Sequence, residues 1–217
     1  MTYTGEVHVG GPAQVRELED LTITKVAVGP MANNAYLLRC RLTGDQVLID
    51  AANEADVLLE LIGESGLTHI ITTHQHADHW QALAEVAEQT GAVVVAGAED
   101  AEGLPIEVTL PVRSNARIRV GAAELEVIEV RGHTPGSIVL AYDDPEGIVH
   151  LFTGDSLFPG GVGRTWEPDD FISLINDVET KLFNRFSDDT WFYPGHGNDS
   201  TLGVERSQLS DWRARGW

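Results

Sequence analysis

The chain has 217 residues, with 14 Lys+Arg against 34 Asp+Glu and a formal charge of −20. Hydrophobic residues make up 42% and charged residues 22%, the balance of a globular protein with enough chain to bury a sizeable core. Such acidity disfavours nucleic acid and anionic membranes as partners, no apolar run approaches the ~20 residues that span a bilayer, and the single Cys40 cannot form an internal disulfide.

The start, Met1-Thr2-Tyr3-Thr4-Gly5-Glu6, lacks the basic and apolar regions of an export signal, so a cytoplasmic protein is expected. Residues 21–28 alternate as a strand does, 35–41 form a second strand and 46–49 a third, with turns at Gly29-Pro30 and Thr43-Gly44-Asp45. Cys40 lies between Arg39 and Arg41 in that second run and reads as a packed thiol. Val57, Leu58, Leu61 and Ile62 recur at helical spacing, which predicts a helix over 54–64 ending at Gly66. A short apolar strand over 69–72, a polar loop, a helix over 80–89 and a strand over 93–96 follow. Residues 106–142 read mostly as β, with 124–130 alternating. After a turn at 143–147 come a strand over 148–153, a helix over 169–185, a strand over 190–193 and a C-terminal helix over 203–213. With no repeat and no linker-like stretch, the pattern predicts one domain over 1–217 of α+β class, two sheets face to face with helices outside.

The polar chemistry falls in the loops between these elements. Three of the eight histidines lie within six residues, in Thr73-His74-Gln75-His76-Ala77-Asp78-His79-Trp80, between a predicted strand and a predicted helix. Imidazole is the commonest metal ligand and a neighbouring carboxylate is a hard oxygen donor. In an extended loop His74 and His76 project to one side, while Asp78 and His79 sit at the turn and can point elsewhere, a geometry that suits two neighbouring ions. Further polar residues stand in loops beside strands: His133 in Arg131-Gly132-His133-Thr134-Pro135-Gly136-Ser137, Asp155 in Thr153-Gly154-Asp155-Ser156, and His196 in Pro194-Gly195-His196-Gly197.

In order along the chain, Leu48-Ile49-Asp50, HxHxDH, GHTPGS, TGDSLF and PGHG resemble the motif set of metallo-β-lactamase-fold hydrolases, and within them glyoxalase II-type proteins. The resemblance covers nearly the whole chain and implies a four-layer αβ/βα sandwich with two divalent metal ions, zinc first and iron or manganese as alternatives, at one edge between the sheets. It implies a first ion on His74, His76 and His133, a second on Asp78, His79 and His196, and Asp155 bridging both. Asp78 and Asp155 are the catalytic carboxylates of that reading, and Asp50 steadies the ligand loop without binding metal. His8, His69 and His150 match no motif and read as structural.

A pair of ions lowers the pKa of a shared water and polarises a carbonyl, so hydrolysis needs no Ser/His/Asp triad. A thiolate leaves without a strong general acid, which points to a small thioester, and the resemblance that lets Arg164 hold a substrate carboxylate implies an anionic one. Asp155 stands where β-lactamases of this fold use cysteine, and His79 where they usually use arginine, which disfavours a lactam substrate. Gly160-Gly161-Val162-Gly163-Arg164-Thr165-Trp166 resembles the stretch that contacts the thiol carrier, with Arg164 and Trp166 as substrate-binding residues, although the family has tyrosine at the Trp166 position and cysteine at Val162. About twenty residues follow His196, whereas full-length glyoxalase II carries a further helical domain that completes the glutathione pocket, so a short form open to other small thiols is expected. Two rivals share these motifs. One is a persulfide dioxygenase-like enzyme with a single iron on two of these histidines and Asp155, disfavoured by PGHG around His196. The other is a lactonase using the same dinuclear site.

Overall fold

The computed structural model describes residues 3–216. Seven strands form the first sheet in sequence order: β1 (Gln14–Glu17), β2 (Leu21–Val28), β3 (Asn33–Cys40), β4 (Gln46–Ile49), β5 (His69–Thr72), β6 (Val93–Gly97) and β7 (Leu110–Val112). The first four pair antiparallel, and β4 to β7 run parallel. The strands β4, β5 and β6 are short apolar runs rather than alternating ones because both faces of the sheet are covered there. In the second sheet β8 (Arg117–Val120), β9 (Ala123–Glu129), β10 (Ile138–Asp143) and β11 (Val149–Gly154) are antiparallel neighbours. A hairpin of β12 (Leu157–Phe158) and β13 (Gly161–Val162) follows, and β14 (Trp191–Pro194) then joins β11 in parallel, flanked by β15 (Ser200–Thr201).

Three apolar layers hold these sheets. Leu21, Ile23, Leu38 and Ile49 of the first sheet meet Leu125, Val127, Leu140 and Phe152 of the second in a buried middle layer, where each such side chain contributes about 1.5–3 kcal/mol. The outer face of the first sheet is covered by α1 (Ala55–Ile62) and α2 (Leu83–Thr90), which turn Leu58, Ile62, Leu83 and Val86 inward at helical spacing. Leu174, Ile175 and Trp212 cover the second sheet from α3 (Pro168–Asp177) and the C-terminal helices α4 (Leu202–Arg206) and α5 (Leu209–Arg215). Helix, sheet, sheet, helix is the expected four-layer αβ/βα sandwich. Among the described residues no helix is long and apolar enough to cross a membrane.

The departures from the sequence reading are local. The helix expected over 80–89 begins at Leu83, because residues 77–79 form a tight turn and the Trp80 indole donates back to the Gln75 carbonyl at 2.8 Å. The helix expected over 169–185 widens into a π-type turn at Val178–Phe183. The C-terminal helix is two helices with a break at Ser207-Gln208. Strand β1 is an edge strand with every residue partly exposed, so no apolar pattern announces it.

Candidate metal centre

Strands β4, β5 and β6 of one sheet, and β11 and β14 of the other, point their carboxyl ends to the same edge. Loops leaving parallel strands at that end collect ligand sites in α/β folds generally. Here they bring together Asp50, the 73–79 loop, Asp155 and His196, and the segment before β10 adds His133.

The hydrogen bonds at this edge fix which ring nitrogen of each histidine faces inward. Asp50 is buried, with backbone φ of 58°, a left-handed conformation that Asp tolerates better than most residues. Its Oδ1 accepts the Thr73 amide and its Oδ2 accepts the Thr73 hydroxyl, both at 2.8 Å. Having spent its proton on Asp50, the Thr73 hydroxyl accepts from His74 Nδ1 at 3.1 Å. Asp50 Oδ2 also accepts from His79 Nδ1 at 2.9 Å, the Arg164 carbonyl accepts from His133 Nδ1 at 2.7 Å, and the Met31 carbonyl accepts from His196 Nδ1 at 3.1 Å. In all four rings Nδ1 is turned to an outer partner and Nε2 faces into the site, the arrangement in which outer partners orient a metal-binding nitrogen.

The inward atoms gather into overlapping sets. His74 Nε2 lies 3.2 Å and His76 Nδ1 2.9 Å from His133 Nε2. His79 Nε2 lies 3.4 Å from Asp78 Oδ2, and His196 Nε2 lies 3.3 Å from the same oxygen. Asp155 stands between the two groups, 3.3 Å from His79, 3.6 Å from His196 and 3.8 Å from His133. Donor atoms of His74, His76 and His133, of His74, His79 and Asp155, and of Asp78, His79 and His196 each lie within 4.8 Å of one another. A Cβ at Gly195 would collide with Asp155 Oδ1 and His79 Cε1, so the PGHG glycine is what lets these two donors approach.

This donor set fits divalent cations. His79 Nε2 and Asp155 Oδ1 are buried and face each other at 3.3 Å without a well-aligned hydrogen bond, so a cation between them would take up contacts that the protein leaves poorly made. Imidazole and carboxylate together suit zinc, iron and manganese. Burial, and then the neighbouring imidazoles, hold His74 well below its ordinary pKa, and burial also lowers His76 and His133, which keeps their lone pairs available. Burial works against a charge on His79, yet the Asp50 and Asp155 carboxylates raise it to about 10. The Asp78 carboxyl is held far below the usual range, first by its hydrogen bond with His196. For Asp155, burial alone would raise the carboxyl, and the His79 ring overrides it.

Two contributors escape sequence reading. Buried Asp100, just beyond β6, accepts from the Gln75 amide at 3.0 Å, the Thr134 hydroxyl at 2.5 Å and the Gly136 amide at 2.6 Å, tying the His76 loop to the His133 loop. Asn33 opens β3 and donates its side-chain amide to Asp78 Oδ2 at 2.9 Å. Neither residue belongs to a spaced motif, so only the fold reveals them. The rim carries Trp166, 58% exposed, with its ring 5.4 Å from that of His76, and the Arg164 guanidinium 5.6 Å above the indole. His150 is buried against Tyr193, 2.8 Å from its hydroxyl, and His69 lies 3.0 Å from Thr68 Oγ1. Among the described residues neither these two nor His8 joins a donor set.

Comparison with known proteins places the fold in a family. The hydroxyacylglutathione hydrolase of Fuscovulum blasticum is 40% identical over 136 residues, 62% of this chain and 52% of that relative, so the chain spans about half the length of the curated relatives it matches first. The crystal structure of ETHE1 from Myxococcus xanthus superposes with a TM-score of 0.76 at 28% identity, covering 88% of this chain and 84% of that one. That of TTHA1623 in a di-iron-bound form gives 0.67 at 33% identity, covering 84% and 96%. Residues 28–197, which carry every donor described above, match the model of the metallo-beta-lactamase superfamily, and the chain belongs to that superfamily.

Proposed function

We propose that this protein is a dinuclear metal-dependent hydrolase of small anionic thioesters, working as one domain in the cytoplasm without nucleic acid or membrane partners. The observation that carries the reading is the overlap of two three-donor sets around Asp155, where a buried imidazole nitrogen and carboxylate oxygen face each other at 3.3 Å without a well-aligned hydrogen bond. In this reading His74, His76 and His133 hold one ion, Asp78, His79 and His196 hold the other, and Asp155 is shared; zinc is the first candidate. Two such ions supply a water acidified toward neutral pH and a Lewis acid for the carbonyl. The TTHA1623 neighbour, described in a di-iron-bound form, supports a pair of ions.

The chain's own residues define the rest. Asp50, Thr73, Met31 and the Arg164 carbonyl hold the histidine tautomers, so the donors are fixed before substrate arrives. Trp166 and Phe158, whose rings lie 5.4 and 6.4 Å from His76 and His196, form an apolar rim on either side and carry no acid to protonate a leaving group. That suits a thiolate, whose ordinary pKa is about 8.5, better than an amide nitrogen. Arg164 supplies a guanidinium suited to a substrate carboxylate. The hydroxyacylglutathione hydrolase name of the curated relatives supports the thioester class, and the unpaired Cys40 fits a reducing compartment.

The test is a substrate panel with the metal-loaded protein: S-lactoylglutathione, a neutral lactoyl thioester, a γ-lactone and a β-lactam. Thiol release should be fastest with the anionic thioester and vanish with chelator. Faster lactone opening, or oxygen uptake with a persulfide and no thioester hydrolysis, would overturn the assignment.

A further inference from the structure

Lys25 lies in the middle of β2 with none of its surface exposed. Its ammonium donates to the Gly197 carbonyl at 2.8 Å, to the Gly5 carbonyl at 2.8 Å and to Asp199 Oδ1 at 2.7 Å. Three N–H donors thus meet three acceptors, two of them within three residues of His196. The second oxygen of Asp199 accepts the Tyr3 hydroxyl at 2.5 Å, and a Cβ at Gly5 would collide with that carboxylate. The same loop is gripped from β3. Asn34 donates its side-chain amide to the Pro194 and Gly197 carbonyls, both at 2.9 Å, and its backbone amide to the Gly195 carbonyl at 2.7 Å, while the Tyr36 hydroxyl reaches the Pro194 carbonyl at 2.7 Å. The peptide groups on both sides of His196 are therefore pinned by buried side chains that touch no donor atom.

A buried ion pair is a poor device for stability alone, since desolvating the two charges costs several kcal/mol and an apolar side chain of similar volume often does as well. A lysine offers what an apolar residue cannot, three directed donors that set where a loop's carbonyls lie. Burial lowers the Lys25 pKa, and the Asp199 carboxylate opposes that shift.

We propose that Lys25, together with Asp199, is a positioning residue that sets the affinity of the Asp78–His79–His196 donor set for its cation and leaves the His74–His76–His133 set unaffected. All the bonds of Lys25 go to the loop after His196 and to the N-terminal segment, and none to the loops of the other set. Outer partners of metal ligands typically change affinity by about 10–100-fold when removed. The inference rests on the dinuclear reading above.

Stepwise Zn²⁺ titration against a chromophoric chelator, with wild type and Lys25→Met compared, tests it. The expected result is one of the two steps about 10–100-fold weaker in the variant and the other essentially unchanged. Should Lys25→Met fail to fold, Asp199→Asn keeps the shape and an acceptor and should show a smaller loss confined to the same step. Two steps in wild type with unchanged affinities in a folded variant, or equal losses at both steps, overturn the positioning role while the dinuclear reading stands. A wild-type stoichiometry of one ion per chain overturns the dinuclear reading, and the role for Lys25 falls with it.

Discussion

Asp50 and His79 meet at 2.9 Å, the carboxylate accepting the ring Nδ1–H, so a residue outside the donor set decides which nitrogen of a candidate ligand faces Asp78 and Asp155. Because the same carboxylate holds Thr73, and through it His74, Asp50 orients one histidine of each donor set.

Asp50→Asn should therefore damage the site far more than the fold. Its amide group would face His79 in place of a carboxylate oxygen, favouring the opposite tautomer and removing the charge that supports the ring. Hydrolysis should drop by about 10–100-fold with weaker metal retention, read by turnover and by metal content after dialysis. Wild-type retention and rate would contradict the role given to Asp50.

Asp100 makes the complementary prediction for stability. Asp100→Ala removes an acceptor from two buried or half-buried amides and one hydroxyl, at about 1.5–3 kcal/mol for a bond to a charged group and with losses that do not add fully. Denaturant unfolding of the metal-free protein should show a loss of about 3 kcal/mol. A loss below about 0.5 kcal/mol, the range of ordinary surface changes, would contradict it.

These two residues also mark the limit of what the sequence discloses. Asp50 follows a strand and belongs to a motif series, so its supporting role is legible before any coordinates. Asp100 lies in an unremarkable Ala-Glu-Asp-Ala stretch, and its importance comes from β6 ending beside the His133 loop, a long-range fact without local spacing. The same contrast holds for the elements. Strands β2, β4, β5 and β6 are legible because burial imposes alternation or a continuous apolar run, and β1 is not because an edge strand with every residue partly exposed imposes neither. The second sheet likewise depends on a pairing between distant segments, β11 with β14, that no local pattern announces. The histidine motifs could be read because metal chemistry tolerates few residue types. The Lys25 node could not, since a lone lysine within an alternating strand looks like a solvent-facing one.

Proton release on metal binding should report His79. Without metal its pKa near 10, raised by Asp50 and Asp155 against burial, means the ring is charged at pH 8. The raised value stabilises the metal-free fold fully below the unfolded histidine pKa of about 6.5, and that contribution is lost as pH rises through about 10. A cation bound to Nε2 must displace this proton. Titration calorimetry at pH 8 in buffers of different ionisation enthalpy should show release of more than one proton per chain, at least one from His79 and a further one from the acidified water. No release would contradict a charged His79 or its place among the ligands.

Arg164 separates substrate recognition from chemistry. Arg164→Glu should raise KM for S-lactoylglutathione by about tenfold or more, the effect of losing a charge-assisted contact and adding repulsion, with little change for a neutral thioester. Equal shifts for both substrates would remove Arg164 from the carboxylate-binding role.

The central claim is the pair of cations around Asp155, and elemental analysis of protein purified without added metal or chelator tests it most directly. About two ions per chain are expected, zinc or zinc with iron, falling to about one in His196→Ala with the fold retained. One iron per wild-type chain, unchanged by His196→Ala, would contradict it.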